Sequence, residues 1–235
     1  MVKPFLFLFL CILCISSNRS CISEIVHIQA QEQDYIGRSE DDVLSLLVDD
    51  RFLGDLQAPI IMIEYSSLTC YHCALFHKDV FPKIKAKYID TGKMLYIFRH
   101  FPLDYRGLQA AMLSTCYDNH EDYFRFNKDF FELSSNWNFN NLSDLAMLQN
   151  IAELNDLSTE MLNQCMNNIT ILNKIVNNKA IAINKLGITA TPIFFIKLNQ
   201  HSPDINLNDI RHEGSKKIEY FMDIIDTLYV KTIVH

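Results

Sequence analysis

The sequence contains 235 residues, with 21 Lys and Arg against 28 Asp and Glu, which gives a formal net charge of −7. Hydrophobic residues make up 49% and charged residues 21%, proportions that exclude a disordered or collagen-like chain. The acidic balance argues against a general nucleic-acid binder, which needs a basic face. We therefore expect one globular domain, or one domain with a sizeable insertion, and no nucleic-acid partner.

The N-terminus has the features of an export signal. Lys3 precedes an unbroken apolar run over residues 5–15, and a short polar segment over residues 16–20 follows it. The apolar run is shorter than the roughly 20 residues that a membrane-spanning helix needs. We therefore predict a signal peptide over residues 1–20, with an uncleaved membrane anchor as the alternative.

Export changes how the seven cysteines are interpreted. Cys11 and Cys14 would leave with the signal peptide. Cys21 lies near the cleavage point, but the preceding Asn18-Arg19-Ser20 is a poor match to a lipid-attachment signal. An even number of cysteines then lies clearly in the mature chain: Cys70, Cys73, Cys116 and Cys165. An oxidising compartment favours disulfide bonds among such cysteines.

The first half of the mature chain has the pattern of a strand, a helix and a second strand. Residues 21–49 predict a linker with a short helix. A β-branched run over residues 60–65 predicts a buried strand, apolar positions over residues 74–88 recur at helical spacing, and residues 94–98 predict another strand. Pro82 inside the helical pattern predicts a kink. This order is typical of a βαβ unit with two parallel strands.

A helical block follows the second strand. Ser158 is placed to cap one of its helices. The apolar residues recur at helical spacing in four segments: residues 106–117, 120–133, 143–154 and 158–186. We therefore predict an all-helical domain over residues 103–186.

The chain then returns to strand patterns. Residues 193–198 predict a third strand, residues 208–212 predict an edge strand, and an amphipathic helix follows Gly214. We therefore predict an α/β protein in which residues 50–102 and 187–235 form one domain around the helical insertion.

Cys70-Tyr71-His72-Cys73 lies where the first strand ends and the first helix begins. The unpaired N–H groups and the dipole at a helix N-terminus stabilise an anion, so we expect Cys70 to be exposed and ionised. A thiolate is the nucleophile in thiol–disulfide exchange. Cys73 comes one turn later, and we expect it to point inward and pair with Cys70. His72 could lower the pKa of Cys70 further, or it could be only an exposed polar residue.

Other uses of a Cys-x-x-Cys pair have weaker support in the sequence. A zinc site needs two more ligands, and only His77 and His100 are available, without a second Cys-x-x-Cys. Covalent haem attachment needs a histidine where Ala74 lies. A purely structural disulfide remains open, and we expect no metal and no cofactor. Five histidines show no metal-ligand spacing and are interpreted as surface or loop residues: His77, His100, His120, His201 and His212.

Several motifs, in the same order along the chain, resemble the DsbA family of exported thiol:disulfide oxidoreductases. Residues 57–73, from Gln57-Ala58-Pro59 to Cys70-Tyr71-His72-Cys73, match the active-site region of that family. Residues 76–82, 99–104 and 187–195 match further family motifs. The resemblance covers residues 50–230. It implies a thioredoxin fold with a helical insertion and a periplasmic location.

The resemblance also implies roles for individual residues. Cys70 resembles the nucleophilic cysteine and Cys73 the buried, resolving cysteine. Thr191 and Pro192 resemble the cis-proline loop, which faces the active-site disulfide and pairs with the substrate backbone. Glu64 resembles the buried acid beneath the second cysteine. Because Glu64 interrupts an apolar strand, it could exchange a proton with Cys73, unless it faces solvent at the strand end.

Cys116 and Cys165 both lie in the helical block. Free thiols in an exported protein invite oxidation, and some members of the family carry a second disulfide in the insertion, so we predict a structural disulfide between them. Two buried unpaired cysteines and a disulfide that regulates the redox reaction are the alternatives.

The resemblance implies a function in disulfide formation. We expect a monomer that introduces disulfides into reduced, newly exported client proteins and is re-oxidised by a membrane oxidase. Tyr71 stands where many family members have proline, which leaves the redox potential open. A disulfide isomerase or reductase on the same fold is the alternative, although residues 22–50 are too short for the dimerisation domain that such isomerases usually add. A chaperone-like binding module with an incidental cysteine pair is the alternative from another class.

Overall fold

A mixed β-sheet lies at the centre of the part of the chain that the computed structural model describes, which is residues 40–135, 144–199 and 206–233. Its strands are β1, Arg51–Leu53; β2, Ile60–Ser66; β3, Met94–His100; β4, Ile193–Leu198; and β5, Arg211–Glu213. Their order across the sheet is β1-β3-β2-β4-β5. The predicted signal peptide, Cys21 and most of the predicted linker lie outside the described residues.

The central strands β2 and β3 run parallel, with Ile60 opposite Met94 and Ser66 opposite His100. The predicted parallel pair is therefore confirmed. Every residue of β2 is buried, which explains why its sequence is a continuous β-branched run rather than an alternating one. β4 pairs antiparallel with the other edge of β2, so that Ile60 also lies opposite Leu198.

Helices surround the sheet and form the block between β3 and β4. Their bounds are α1, Glu40–Val43; α2, Tyr71–Asp79; α3, Phe81–Ile84; α4, Tyr105–Thr115; α5, His120–Ser135; α6, Asp144–Leu154; α7, Thr159–Met166; α8, Ile169–Leu186; α9, Leu207–Ile210; and α10, Ile218–Ile233. A π-helical turn over Lys85–Ile89 continues α3.

Three local predictions differ from the structure. Pro82 does not kink one long helix but lies in the first turn of α3, where its missing N–H costs nothing. The predicted helix over residues 158–186 is two helices, because the Asn168 side chain accepts hydrogen bonds from two backbone N–H groups and caps a new one. The predicted edge strand over residues 208–212 begins only at Arg211, after the short helix α9.

The two faces of β2 contribute to different cores. Ile60 and Met62 pack in the larger core with Cys73 of α2, whereas Ile61 and Ile63 pack against α1 and α8 on the opposite face. Residues of α5 belong to the larger core, so the helical block packs directly against the helix that carries the cysteine pair. Because side chains alternate along a strand, Glu64 shares the face of Met62 and points towards α2.

Candidate active site

Cys70 is the N-cap residue of α2 and has an extended backbone conformation. Its N–H donates to the carbonyl of Ser67 at 3.0 Å, and its own carbonyl accepts from the N–H of Ala74 at 3.0 Å, so the loop leads directly into the helix. The half-buried Cys70 therefore lies over the unpaired N–H groups of the first turn. Cys73 lies one turn further along, with its side chain fully buried.

Both cysteines are reduced, and their pKa values diverge. The pKa of Cys70 falls from 9.0 to about 5, chiefly because the Cys73 thiol donates a hydrogen bond to it. Burial opposes this shift, whereas Thr191 and the backbone N–H groups of Cys73 and His72 support it. Cys70 is therefore a thiolate near neutral pH, which is the state that exchanges with disulfides.

The pKa of Cys73 is raised well above its usual value, first by burial and then by the neighbouring Cys70 sulfur and by Glu64. A buried thiol that stays protonated can donate to the thiolate beside it. The two sulfurs are thus chemically unequal, as an exchange mechanism requires: one carries charge near the surface and the other holds a proton inside.

The backbone N–H of His72 supports the Cys70 thiolate. The backbone N–H of His72 contributes to the lowered pKa of Cys70. The His72 side chain is exposed, and its ring meets the edge of the Tyr71 ring, with 5.6 Å between centroids. The predicted effect of the imidazole on Cys70 stays a prediction.

The loop before β4 lies against the Cys70 sulfur, because β4 pairs with β2 and begins immediately beyond Pro192. The peptide bond between Thr191 and Pro192 is cis. The Cys70 thiol lies 3.4 Å from the Thr191 carbonyl oxygen and donates to it. The hydroxyl of Thr191 is buried and has no hydrogen-bond partner among the described residues, so it remains available to a Cys70 thiolate.

Glu64 lies beneath Cys73 in a cluster of three polar side chains. Glu64 is 0% exposed. The hydroxyl of Tyr96 donates to its Oε2 at 2.6 Å, and Nε2 of His77 lies 3.1 Å from each carboxyl oxygen. The interpretation of His77 as a surface or loop residue is therefore wrong. Its position four residues after Cys73, on the same helical face, is the signal that could have revealed it.

The helical block is attached to the cysteine loop at the start of α4. Asp104 caps this helix, accepting from the N–H of Gly107 at 2.7 Å, and Thr69 donates to both carboxyl oxygens of Asp104 at 3.3 Å. A Cβ atom on Gly107 would lie 2.9 Å from the hydroxyl oxygens of Ser67 and Thr69. Only glycine permits this close approach.

A disulfide joins Cys116, at the end of α4, to Cys165 of α7, with 5.9 Å between the Cα atoms. Within residues 40–135, 144–199 and 206–233, no three His, Cys, Asp or Glu side chains are grouped to hold a metal ion. No helix in these same ranges is both long and apolar enough to cross a membrane.

Comparison with known proteins places the chain in a family. The family model described as Thioredoxin matches residues 47–226. The crystal structure of α-DsbA1 from Wolbachia pipientis has 62% sequence identity and a TM-score of 0.80, covering 83% of this chain and 98% of that one. The chain belongs to the DsbA family.

A more distant solved structure shares the fold, and curated relatives share part of the sequence. BdbD from Bacillus subtilis superposes with a TM-score of 0.62 at 19% identity, over 79% of this chain and 95% of that chain. A Rickettsia typhi protein, named provisionally as a protein-disulfide oxidoreductase, is 32% identical over 147 residues, which are 63% of this chain and 54% of that protein. The chain thus spans about half the length of that relative. The predicted thioredoxin fold with a helical insertion is confirmed.

Proposed function

We propose that this DsbA-family protein introduces disulfide bonds into reduced, newly exported proteins by thiol–disulfide exchange at Cys70 and Cys73. The unequal pair of sulfurs carries the proposal. A Cys70 pKa of about 5 makes the reduced protein stable as a thiolate, so the oxidised protein gives up its disulfide readily. The Rickettsia typhi relative, whose name describes a protein-disulfide oxidoreductase, supports the same activity.

The reaction starts from the oxidised pair. A client thiolate attacks the Cys70 sulfur, the bond between the two cysteines breaks, and Cys73 leaves as a thiolate that takes up a proton. A second client thiolate then attacks the client sulfur of the mixed disulfide. Cys70 leaves as a stable thiolate, and the two electrons of the client dithiol now reside on Cys70 and Cys73.

Four further residues take part in this proposal. Glu64 exchanges the proton of Cys73, since its charge reaches that sulfur. Thr191 and Pro192 present the client backbone to Cys70, since their loop lies against its sulfur. His72 supports the thiolate through its backbone N–H and, as the sequence predicts, through its ring. The disulfide between Cys116 and Cys165 is assigned a structural role.

The wider setting is part of the proposal. Residues 1–20 act as the signal peptide for export to the periplasm, residues 21–49 as a linker with a short helix, and residues 103–186 as the helical domain inserted into the thioredoxin-like domain of residues 50–102 and 187–235. The protein acts as a monomer without a cofactor, and a membrane oxidase restores the disulfide after each turnover.

The decisive experiment compares oxidative refolding with reduction. Oxidised wild-type protein should restore activity to a reduced, unfolded test enzyme, and Cys70→Ser should not. Cys73→Ser should also fail to oxidise a reduced client, because it has no disulfide to donate; with an oxidised client, its Cys70 thiolate should form a mixed disulfide that persists, because Cys73 is absent to displace the client. Efficient reduction of insulin together with no refolding activity would instead indicate a reductase. Client binding that survives in Cys70→Ser, without any oxidation by wild type, would indicate a chaperone-like module.

A further inference from the structure

The proton that Cys73 exchanges needs a route between a buried site and water. Glu64, the proposed partner of Cys73, is itself fully buried. A carboxyl group in that position can pass one proton to Cys73, but it has no direct contact with solvent from which to take up another. A neighbouring ionisable group that lies nearer the surface would connect Glu64 to the outside.

His77 is the side chain with the geometry to make this connection. Its Nε2 lies 3.1 Å from both carboxyl oxygens of Glu64. The Tyr96 hydroxyl also contacts the carboxyl group, but it lies deeper, because Tyr96 is 0% exposed whereas the His77 side chain is 8% exposed. One proton can lie on Nε2 of an imidazolium facing a carboxylate, or on the carboxyl group facing a neutral imidazole.

The His77 ring is held in position by aromatic neighbours. It stacks on Phe131 of α5, with 4.2 Å between centroids and 14° between planes, and it contacts Phe81 and Phe98 at 5.0 and 5.8 Å. This packing keeps Nε2 directed at Glu64 without the entropic cost of ordering a free side chain.

Within the described part of the chain, three elements contribute ionisable groups to the cluster around His77. Cys73 on α2, Glu64 on β2 and Tyr96 on β3 form its polar surroundings, while α3 and α5 present aromatic rings. The charged residues Lys128 and Glu132 of α5 are exposed and pair with each other at 3.1 Å. Glu64 is therefore the ionisable group in hydrogen-bond contact with the His77 ring, and Cys73 lies one helical turn away.

We propose that His77 is a positioning residue that relays protons between Glu64 and solvent during disulfide exchange, an inference that rests on the proposed function. When a client thiolate breaks the disulfide, the Cys73 thiolate takes from the Glu64 carboxyl group the one proton that Glu64 and His77 share. This leaves a Glu64 carboxylate facing a neutral His77 imidazole, and a proton from solvent then returns the imidazole to its cationic form. Re-oxidation runs the same transfers in reverse, so the protons balance in both directions.

A purely structural His77 would also fill space and satisfy a buried carboxyl group. His77→Gln separates these roles, because glutamine can still donate a hydrogen bond to Glu64 but cannot carry a proton. His77→Phe preserves the aromatic packing and removes both the hydrogen bond and the proton. His120→Gln is the matched control, since His120 accepts a hydrogen bond from the backbone N–H of Phe52, away from this cluster.

The test follows the reaction of reduced protein with oxidised glutathione by quenched-flow alkylation and mass spectrometry. Attack by Cys70 is bimolecular and reports the thiolate, so its rate should stay within twofold of wild type in both His77 variants. The later unimolecular attack by Cys73 requires loss of its proton. General acid–base groups contribute large rate factors, so we expect His77→Gln to slow this step about tenfold and to change its pH profile.

A double-mutant cycle with Glu64→Gln assigns the effect to the relay. If His77 acts through Glu64, the double variant should be no slower than Glu64→Gln alone. The relay would be overturned if the rate factors of the two single substitutions multiplied in the double variant. It would also be overturned if both folded His77 variants kept the wild-type rate and pH profile. A wild-type protein that failed to oxidise any client would instead refute the proposed function.

If the His77 variants do not fold, the relay can still be tested on the wild-type protein. In ¹⁵N-histidine-labelled wild type, the ring nitrogens of His77 should shift between the oxidised and reduced forms, because the proton on Nε2 is shared with Glu64. Identical shifts in the two redox forms over the whole pH range of stability would refute the relay.

Discussion

Acidification should weaken this protein as an oxidant relative to glutathione, because the Cys70 thiolate is lost. The pKa of Cys70 is lowered from 9.0 to about 5, first by the hydrogen bond from Cys73. Because the pKa of Cys70 is depressed, ionisation of Cys70 stabilises the reduced protein. This stabilisation is complete at pH values above the pKa of a free cysteine, falls as the pH decreases, and is lost at about pH 5.

The magnitude follows from the number of protons. Between about pH 5 and 8, reduction of the protein takes up one proton because Cys70 stays ionised, whereas reduction of glutathione disulfide takes up two. The equilibrium constant for oxidation of glutathione by the protein should therefore fall about tenfold per pH unit, or about 30 mV. From pH 7 to 5 this amounts to at most about 2.7 kcal/mol, and to about 2 kcal/mol once solvent screening at the half-buried sulfur is allowed for.

Two assays check this prediction. Equilibration with glutathione buffers from pH 4 to 8 gives the equilibrium constant, which should become independent of pH below about pH 5. Ultraviolet absorbance of the thiolate should show a midpoint near pH 5 in the reduced protein, and Cys70→Ser should lack this transition. A thiolate midpoint between pH 8 and 9, or a constant equilibrium with glutathione from pH 7 to 5, would refute the reasoning.

Three further changes test the architecture around the site. Replacing Cys116 and Cys165 by alanine should lower the free energy of unfolding by up to about 4 kcal/mol, measured by denaturant titration, because the disulfide closes a loop with a sequence separation of 49. Gly107→Ala should destabilise the protein by about 1–3 kcal/mol, since the new Cβ would lie 2.9 Å from two hydroxyl oxygens of the cysteine loop; an unchanged melting temperature would contradict this. Arg99→Met should cost about 3–5 kcal/mol, because it leaves the buried Asp50 carboxylate without its partner at 2.6 Å. Asp50→Asn should cost less, because Arg99 would keep its hydrogen bonds to the Tyr65 hydroxyl and the Ser45 carbonyl.

Local patterns in the sequence were sufficient for the elements that form from neighbouring residues. β2 and β3 are predictable because their apolar runs are continuous, and α2 because its apolar residues recur at helical spacing. β1 was missed, since three residues have no period and are held only by antiparallel pairing with β3. The break before α8 was missed because the apolar period continues across the Asn168 cap.

The position of Cys70 at a strand-to-helix junction can be predicted from consecutive residues, because the strand run and the helical period meet there. The residues that surround the Cys70 sulfur cannot be predicted in this way. The Thr191 carbonyl that touches its sulfur is 121 residues away, and it arrives only because β4 pairs with β2.

The groups that carry protons at the site also divide into those that local sequence predicts and those that packing decides. The sequence alone determined that Cys70 lies at a helix N-terminus, where unpaired N–H groups favour a thiolate. The burial that raises the pKa of Cys73, and so makes the two sulfurs unequal, comes from packing. Whether Glu64 faces the core or solvent, and whether His77 reaches it, depends on sheet register and on how α2 docks against β2, β3 and α5. Those are long-range packing events, in which the burial of apolar surface decides which polar groups are enclosed together, and only the tertiary structure records that choice.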